Sequence, residues 1–158
     1  MSVRISTESL KHIPLFADCD SAHLQTMAFA SERVEFTAGT DLFRAGGGGS
    51  AAYLLLLGEA EIWRSQGNER VTVATARLGA FLGELAMISG ATYSVNATAK
   101  TPVSAMRITR EVFMRVVGEF PDFGEKVMNA LSRRLAGSVG EFDRIRQMLE
   151  SAPSFPRR

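Results

Sequence analysis

The sequence predicts an α+β protein: an antiparallel sandwich or roll of short strands, held between helical segments at either end of the chain. Two observations predict it. Between about residues 31 and 108, strand-like segments recur at roughly even spacing with glycine-bearing turns between them. On either side of that zone, apolar residues fall instead at helical spacing, with Leu24, Met27 and Ala28 before it and Val112, Phe113, Val116 and Val117 after it. At 158 residues the chain fits one domain with a real core.

From the N-terminus, Ser6 or Thr7 is placed to cap a short turn carrying Leu10 and Ile13, which Pro14 ends. Asp20 then caps a second helix. The expected strands are Arg33 to Phe36, Asp41 to Arg44, Ala52 to Leu57, Glu59 to Arg64, Arg70 to Ala74, Ser94 to Ala99 and Val103 to Ile108. Segment 59 to 64 alternates only loosely, with Ala60, Ile62 and Arg64 opposite Glu61 and Trp63. The tetraglycine 46 to 49 sits between two strands and reads as a wide hairpin loop. After Thr109 an apolar stripe forms one helix, and Pro121 suits the first turn of the next. That last helix is expected to run to about residue 149 through Val127, Leu131, Leu135, Phe142, Ile145 and Leu149, interrupted by Gly137 and Gly140. Residues 1–150 form the domain, and 151–158, with two prolines, read as a disordered tail.

Composition removes several classes of function. Net charge is +1, so no broad field draws nucleic acid or an anionic membrane, and neither is expected as a partner. The pairs Arg133-Arg134 and Arg157-Arg158 read as solvated faces. The N-terminus lacks an apolar signal core, and the longest apolar run, Ala51 to Leu57, falls far short of a membrane span. One cysteine, Cys19, forms no intrachain disulfide and reads as a small buried residue. A cytoplasmic protein is the expectation. His12 and His23 lack ligand partners at helical spacing, so no metal site is expected even with Cys19 counted in. No nucleophile elbow, catalytic histidine set or phosphate loop with its lysine is present, so the chain does not read as an enzyme and needs no resident cofactor.

The informative stretch is Leu78 to Ile88, closed by Ser89-Gly90. A glycine that frees the backbone, followed by an apolar helical turn, presents unsatisfied N–H groups at a helix start, and such a start suits phosphate or carboxylate. Glu84 stands at that start. It serves either as a first-turn acid complementing the dipole or as an acceptor for a sugar hydroxyl.

Phe81-Leu82-Gly83-Glu84-Leu85-Ala86-Met87-Ile88 resembles the phosphate-binding cassette of the cyclic nucleotide-binding domain family, which includes bacterial catabolite activators, regulatory subunits of cyclic-AMP-dependent protein kinase and gated channels. The resemblance extends over most of the chain. Thr37 to Gly46 is similar to the family's early strand pair, Tyr53 to Ile62 to its glycine turn, and Phe113 to Pro121 with Ala130 to Leu135 to its last two helices. It implies a β-roll (jelly-roll-like) flanked by N-terminal helices and two C-terminal helices, with cAMP or cGMP as ligand. By resemblance, the amides at Leu85 and Ala86 cap the cyclic phosphate, Gly83 allows close approach, Glu84 takes the ribose 2′-hydroxyl and Ser94 contacts the phosphate. The C-terminal helix implies a possible homodimer. Relatives that bind DNA carry a helix-turn-helix beyond that helix, and this chain ends about ten residues past it, so DNA binding is not expected.

One departure matters. Where the family places a proline and the phosphate-binding arginine, this chain has Thr92 and Tyr93. Arg77 and Lys100 are the cations that could stand in if they fold inward. Gly47, Gly48 and Ser50 also occupy a loop where the family often carries acids. Two expectations remain open: a sensor that binds cAMP or cGMP weakly, with Tyr93 offering a hydroxyl or a stacking face, or a drifted pocket that takes another small ligand or serves as an interaction module.

Overall fold

A computed structural model describes residues 3–134 except residue 49. The N-terminal layer is α1 (Val3–Lys11), a 3-10 turn (Pro14–Phe16) and α2 (Ser21–Ala30). Eight strands follow: β1 (Glu32–Phe36), β2 (Asp41–Phe43), β3 (Ala51–Leu57), β4 (Ala60–Gln66), β5 (Glu69–Ala76), β6 (Phe81–Leu82), β7 (Asn96–Ala99) and β8 (Val103–Thr109), with α3 (Glu84–Ser89) inserted between β6 and β7. Helices α4 (Arg110–Glu119) and α5 (Pro121–Arg134) complete the described chain. All strand pairs are antiparallel, and the two sheets run β1-β8-β3-β6 and β2-β7-β4-β5. This is the expected β-roll between helices.

β3 explains why residues 51 to 57 read as a solid apolar run. Ala52, Leu54 and Leu56 face a core shared with α1, α2, α4 and α5, while Ala51, Tyr53 and Leu55 face the inside of the roll. A strand buried on both sides has no polar face to alternate with. The helical core is centred on Phe113 and Phe123, 5.9 Å apart edge to face, with Phe16 stacked 6.1 Å from Phe123. On β4 the loose alternation has a different cause. Trp63 lies outside both apolar clusters and is buried by Arg70, whose guanidinium sits 4.0 Å from the ring centroid, and by Arg44 at 5.7 Å.

Four expectations are corrected. α1 begins at Val3, so Ser6 and Thr7 lie inside it and do not cap it. Asp20 holds the N-cap position of α2 but makes no side-chain cap bond. The glycine run does not close a hairpin: β2 and β3 belong to different sheets, and the run crosses between them, bridging Gly48 to Thr92. The strand expected from Ser94 starts at Asn96, because Ser94-Val95 forms a bend, and the two-residue β6 was too short to show a period. By contrast, the Thr109 hydroxyl accepts from the Val112 amide at 3.1 Å and starts α4, and Pro121 opens α5. The helix expected to continue to residue 149, Gly137, Gly140, the dimer surface placed there and the 151–158 tail lie outside the described residues.

Two of the fold's side chains give measurable expectations. Cys19 is 1% exposed, and burial pushes its thiol up to about 11. The thiolate is the nucleophile, so Cys19 should resist a disulfide reagent at mildly alkaline pH in the folded protein and react promptly in denaturant. Fast reaction of the native thiol would show that the helical layer opens readily. Across the second sheet, the Trp63 indole N–H donates to the Thr98 hydroxyl at 2.8 Å, which donates to Asp41 at 2.6 Å. That hydroxyl, and then Arg44, holds the Asp41 carboxyl below its ordinary 3.8. A depressed folded-state value means the stabilisation is full above 3.8 and is lost as the pH falls through the lower folded value. Asp41→Asn should therefore melt below the parent at neutral pH, and the gap should close in acid. A gap independent of pH would remove the charge from this account.

Candidate functional site

The site is built where β6 ends and α3 begins. Gly83 takes φ +79°, in the left-handed region, and a β-carbon there would lie 2.9 Å from Cε1 of Tyr93 and 3.2 Å from the Ala51 carbonyl oxygen. Only glycine lets the chain turn here against that ring. α3 is six residues long, so the amides of its first turn lack helical acceptors. Leu85 and Ala86 of that turn line a cavity of about 590 Å³, together with Phe43, Gly83, Glu84 and Tyr93. Ser94 is exposed on its wall. All six residues singled out from the sequence thus border one cavity.

Tyr93 is placed with its polar group already engaged. Its hydroxyl donates to the Ala51 carbonyl at 2.6 Å and accepts from the Ala51 amide at 3.3 Å. Its ring stacks on Phe43, centroids 4.1 Å apart. Burial raises the hydroxyl's pKa above the ordinary phenol value. The glycine-rich crossing packs its backbone on this segment: the Gly46 amide donates to the Tyr93 carbonyl at 2.9 Å, and the Tyr93 amide donates to the Gly47 carbonyl at 3.0 Å. Tyr93 is therefore a wall of the cavity, and the hydroxyl foreseen as a ligand donor is bound to β3.

Glu84 is 8% exposed, and its carboxylate pairs with the guanidinium of Arg134 at the C-terminal end of α5. Arg133 and Arg134, read from the sequence as a solvated face, are both exposed, but the Arg134 side chain also borders the cavity, while Arg133 pairs with Asp18 at 3.0 Å. Arg77 and Lys100 are not brought to the cavity; Arg77 is held by Glu59 at 3.0 Å, and Lys100 lies exposed past the end of β7. Arg110 braces the far end of α3 by donating to the Met87 carbonyl at 2.8 Å and to that of Ile88. A second cavity, of about 540 Å³, lies against Phe81, Glu84 and Arg134 and extends to His12 and Pro14. Elsewhere, Asp20, His23 and Asp122 bring ligand-type atoms within 4.8 Å of one another, and the Lys126 ammonium stands 3.1 Å from Asp122 and 3.7 Å from Asp20 as their counter-charge.

The model of the cyclic nucleotide-binding domain matches residues 33–120, from β1 through the end of α4. The chain belongs to the cyclic nucleotide-binding domain family. Within that family it is 31% identical, over 113 residues, to the cAMP-dependent protein kinase regulatory subunit of Aspergillus fumigatus, an alignment covering 72% of this chain and 27% of that protein. A cyclic nucleotide-binding-like protein from Brucella abortus superposes with a TM-score of 0.66 at 31% identity, covering 71% of this chain and 97% of the other. The N-terminal domain of a transcriptional regulator from Streptomyces coelicolor shares the fold, with a TM-score of 0.77 at 21% identity and coverage of 82% and 94%. The chain spans about a quarter of the length of the fungal regulatory subunit it matches. No helix among the described residues is long and apolar enough to cross a membrane.

Proposed function

We propose that this cyclic nucleotide-binding domain is a non-catalytic sensor that binds cAMP or cGMP weakly and passes occupancy on to an effector, in the cytoplasm. The observation that carries the reading is the cavity itself: Gly83, Glu84, Leu85, Ala86 and Ser94 remain gathered around about 590 Å³, while Tyr93 stands in place of the family's cation. In this reading Glu84 accepts from the ribose 2′-hydroxyl, and the Leu85 and Ala86 amides with the Ser94 hydroxyl hold the phosphate. Affinity is low because a guanidinium is replaced by a neutral ring whose hydroxyl is already bound.

A second reading is favoured by one observation. Both polar cavity residues that matter most are satisfied without a ligand, Glu84 by Arg134 and Tyr93 by Ala51. A domain of that kind serves as an interaction or dimerisation module. Calorimetric titration with cAMP and with cGMP separates the two. Weak, saturable binding in the millimolar to high-micromolar range supports the sensor. Absence of binding to either nucleotide, with partners captured equally with and without them, supports the module.

A further inference from the structure

The cavity has a charge problem that the β-roll does not solve. Among the described residues lining it, Arg134 is the one cation. Arginines around the roll are engaged elsewhere: Arg77 by Glu59, Arg110 by the α3 carbonyls, Arg44 by Asp41 at 3.0 Å, Arg107 by Glu32 at 3.1 Å and Arg70 by Glu61 at 2.6 Å, and none of these lines the cavity. Arg134 comes from α5, 50 residues along the chain from Glu84, and its side chain is 49% exposed. Because Glu84 is buried, this guanidinium compensates its charge, and being half-exposed it still borders the cavity.

We propose that Arg134 supplies, from α5, the guanidinium that the cassette lacks at Tyr93, and so sets the pocket's preference for a charged over a neutral ligand. The inference rests on the cyclic-nucleotide reading above. Its chemistry follows from the donor count. A guanidinium carries five N–H donors in a planar fork, and among the described residues Nη1 is the donor that meets Oε1 of Glu84. A ribose hydroxyl can donate to the other carboxylate oxygen while Arg134 keeps its hold on Oε1 and turns its remaining donors to the phosphate. One carboxylate and one guanidinium then serve sugar and phosphate together, and affinity depends on the seating of α5.

The test compares cAMP with adenosine, which keeps the base and the ribose hydroxyls but carries no charge. Each is titrated calorimetrically against the parent, Arg134→Gln and Arg134→Lys, with thermal melting to confirm that each variant is folded. Arg134→Gln should weaken cAMP by about tenfold or more, as expected for loss of a charge-assisted contact, and leave adenosine within about twofold. Arg134→Lys should fall between, because a point charge replaces a fork. In the Tyr93→Arg background, Arg134→Gln should cost less, since the new guanidinium already pairs with the phosphate. Equal losses for cAMP and adenosine would reduce Arg134 to a residue that positions Glu84 and would overturn the proposal, as would parent binding of cAMP indifferent to Arg134→Gln. A parent that binds no cyclic nucleotide would overturn the sensor reading itself, and this inference with it.

Discussion

Tyr93→Arg is expected to tighten cAMP binding by at least about 30-fold while lowering the stability of the ligand-free domain. The gain follows from placing a permanently charged fork in the cavity wall that faces the Leu85 and Ala86 amides. Truncating one partner of a close, desolvated charge pair costs about 2–5 kcal/mol, and adding it should return the lower part of that range, about 30-fold upward. The loss follows from what Tyr93 does now. Arginine gives up the stacking on Phe43 and both bonds to Ala51. An aromatic pair contributes about 0.5–1.5 kcal/mol and a net hydrogen bond about as much. A deficit of about 2 kcal/mol lowers the melting temperature by roughly 4–8 °C in a domain of this size. The two effects separate in one experiment, because ligand at about 100 times its dissociation constant restores about 2.7 kcal/mol. The same cAMP concentration should therefore bring the variant's melting temperature back to about the parent's ligand-free value, while the parent, binding about 30-fold more weakly, gains only about 1 kcal/mol. Tyr93→Phe, which keeps the ring and loses only the hydroxyl, should lose stability without gaining affinity. A Tyr93→Arg protein that is folded and still indifferent to cAMP would mean that the phosphate end of the cavity is lost for reasons beyond charge.

Most of the roll was readable from local signals because its strands and turns are written locally. Glycines with left-handed geometry punctuate apolar segments, and Thr109 and Pro121 mark helix starts within their own turns. Gly83-Glu84 was readable for the same reason, since a helix start and its first-turn acid are neighbours in sequence. What was not readable is what crosses the chain. Tyr93 meets Ala51 and Phe43 only after β3 and the 44–50 crossing have been brought together, and no spacing rule announces that its hydroxyl will be consumed there. Arg134 looked like a solvated end of an amphipathic helix because its helical neighbours say so, while its partner lies in α3. The glycine run was misread as a hairpin because flanking strands alone do not reveal a change of sheet, which here depends on β7 and β8 supplying the partners. Local chemistry placed the Gly83-Glu84 turn beside the cavity; the charges around it depend on tertiary structure.

Gly58→Ala is expected to be the most damaging single methyl group that can be added to the roll. Gly58 ends β3 and sends the chain from one sheet to the other, and Lys100 to Pro102 makes the return crossing beside it, from β7 to β8. The two crossings are tied together: the Lys100 amide donates to the Glu59 carbonyl at 2.8 Å and the Glu59 amide donates to the Thr101 hydroxyl at 2.9 Å. A β-carbon on Gly58 would lie 2.1 Å from the Pro102 carbonyl oxygen, which is backbone and has no rotamer to yield. The residue also holds φ +89°, where a side chain is strained whatever the space. Left-handed strain and overpacking each cost about 1–3 kcal/mol, so about 4 kcal/mol is expected, or roughly 8–16 °C in melting temperature. That is a large share of the roughly 5–15 kcal/mol that holds a domain folded. Gly39 supplies the control, because its φ is +88° and a β-carbon there meets nothing within 4 Å. Gly39→Ala carries the dihedral strain without the collision, and should cost about 1–2 kcal/mol. The difference between the two melting temperatures thus measures the contact between the crossings. If the two variants melt together, the crossings are not packed as tightly as Gly58 requires, and the register of β3 against β8 at that end would have to relax to make room.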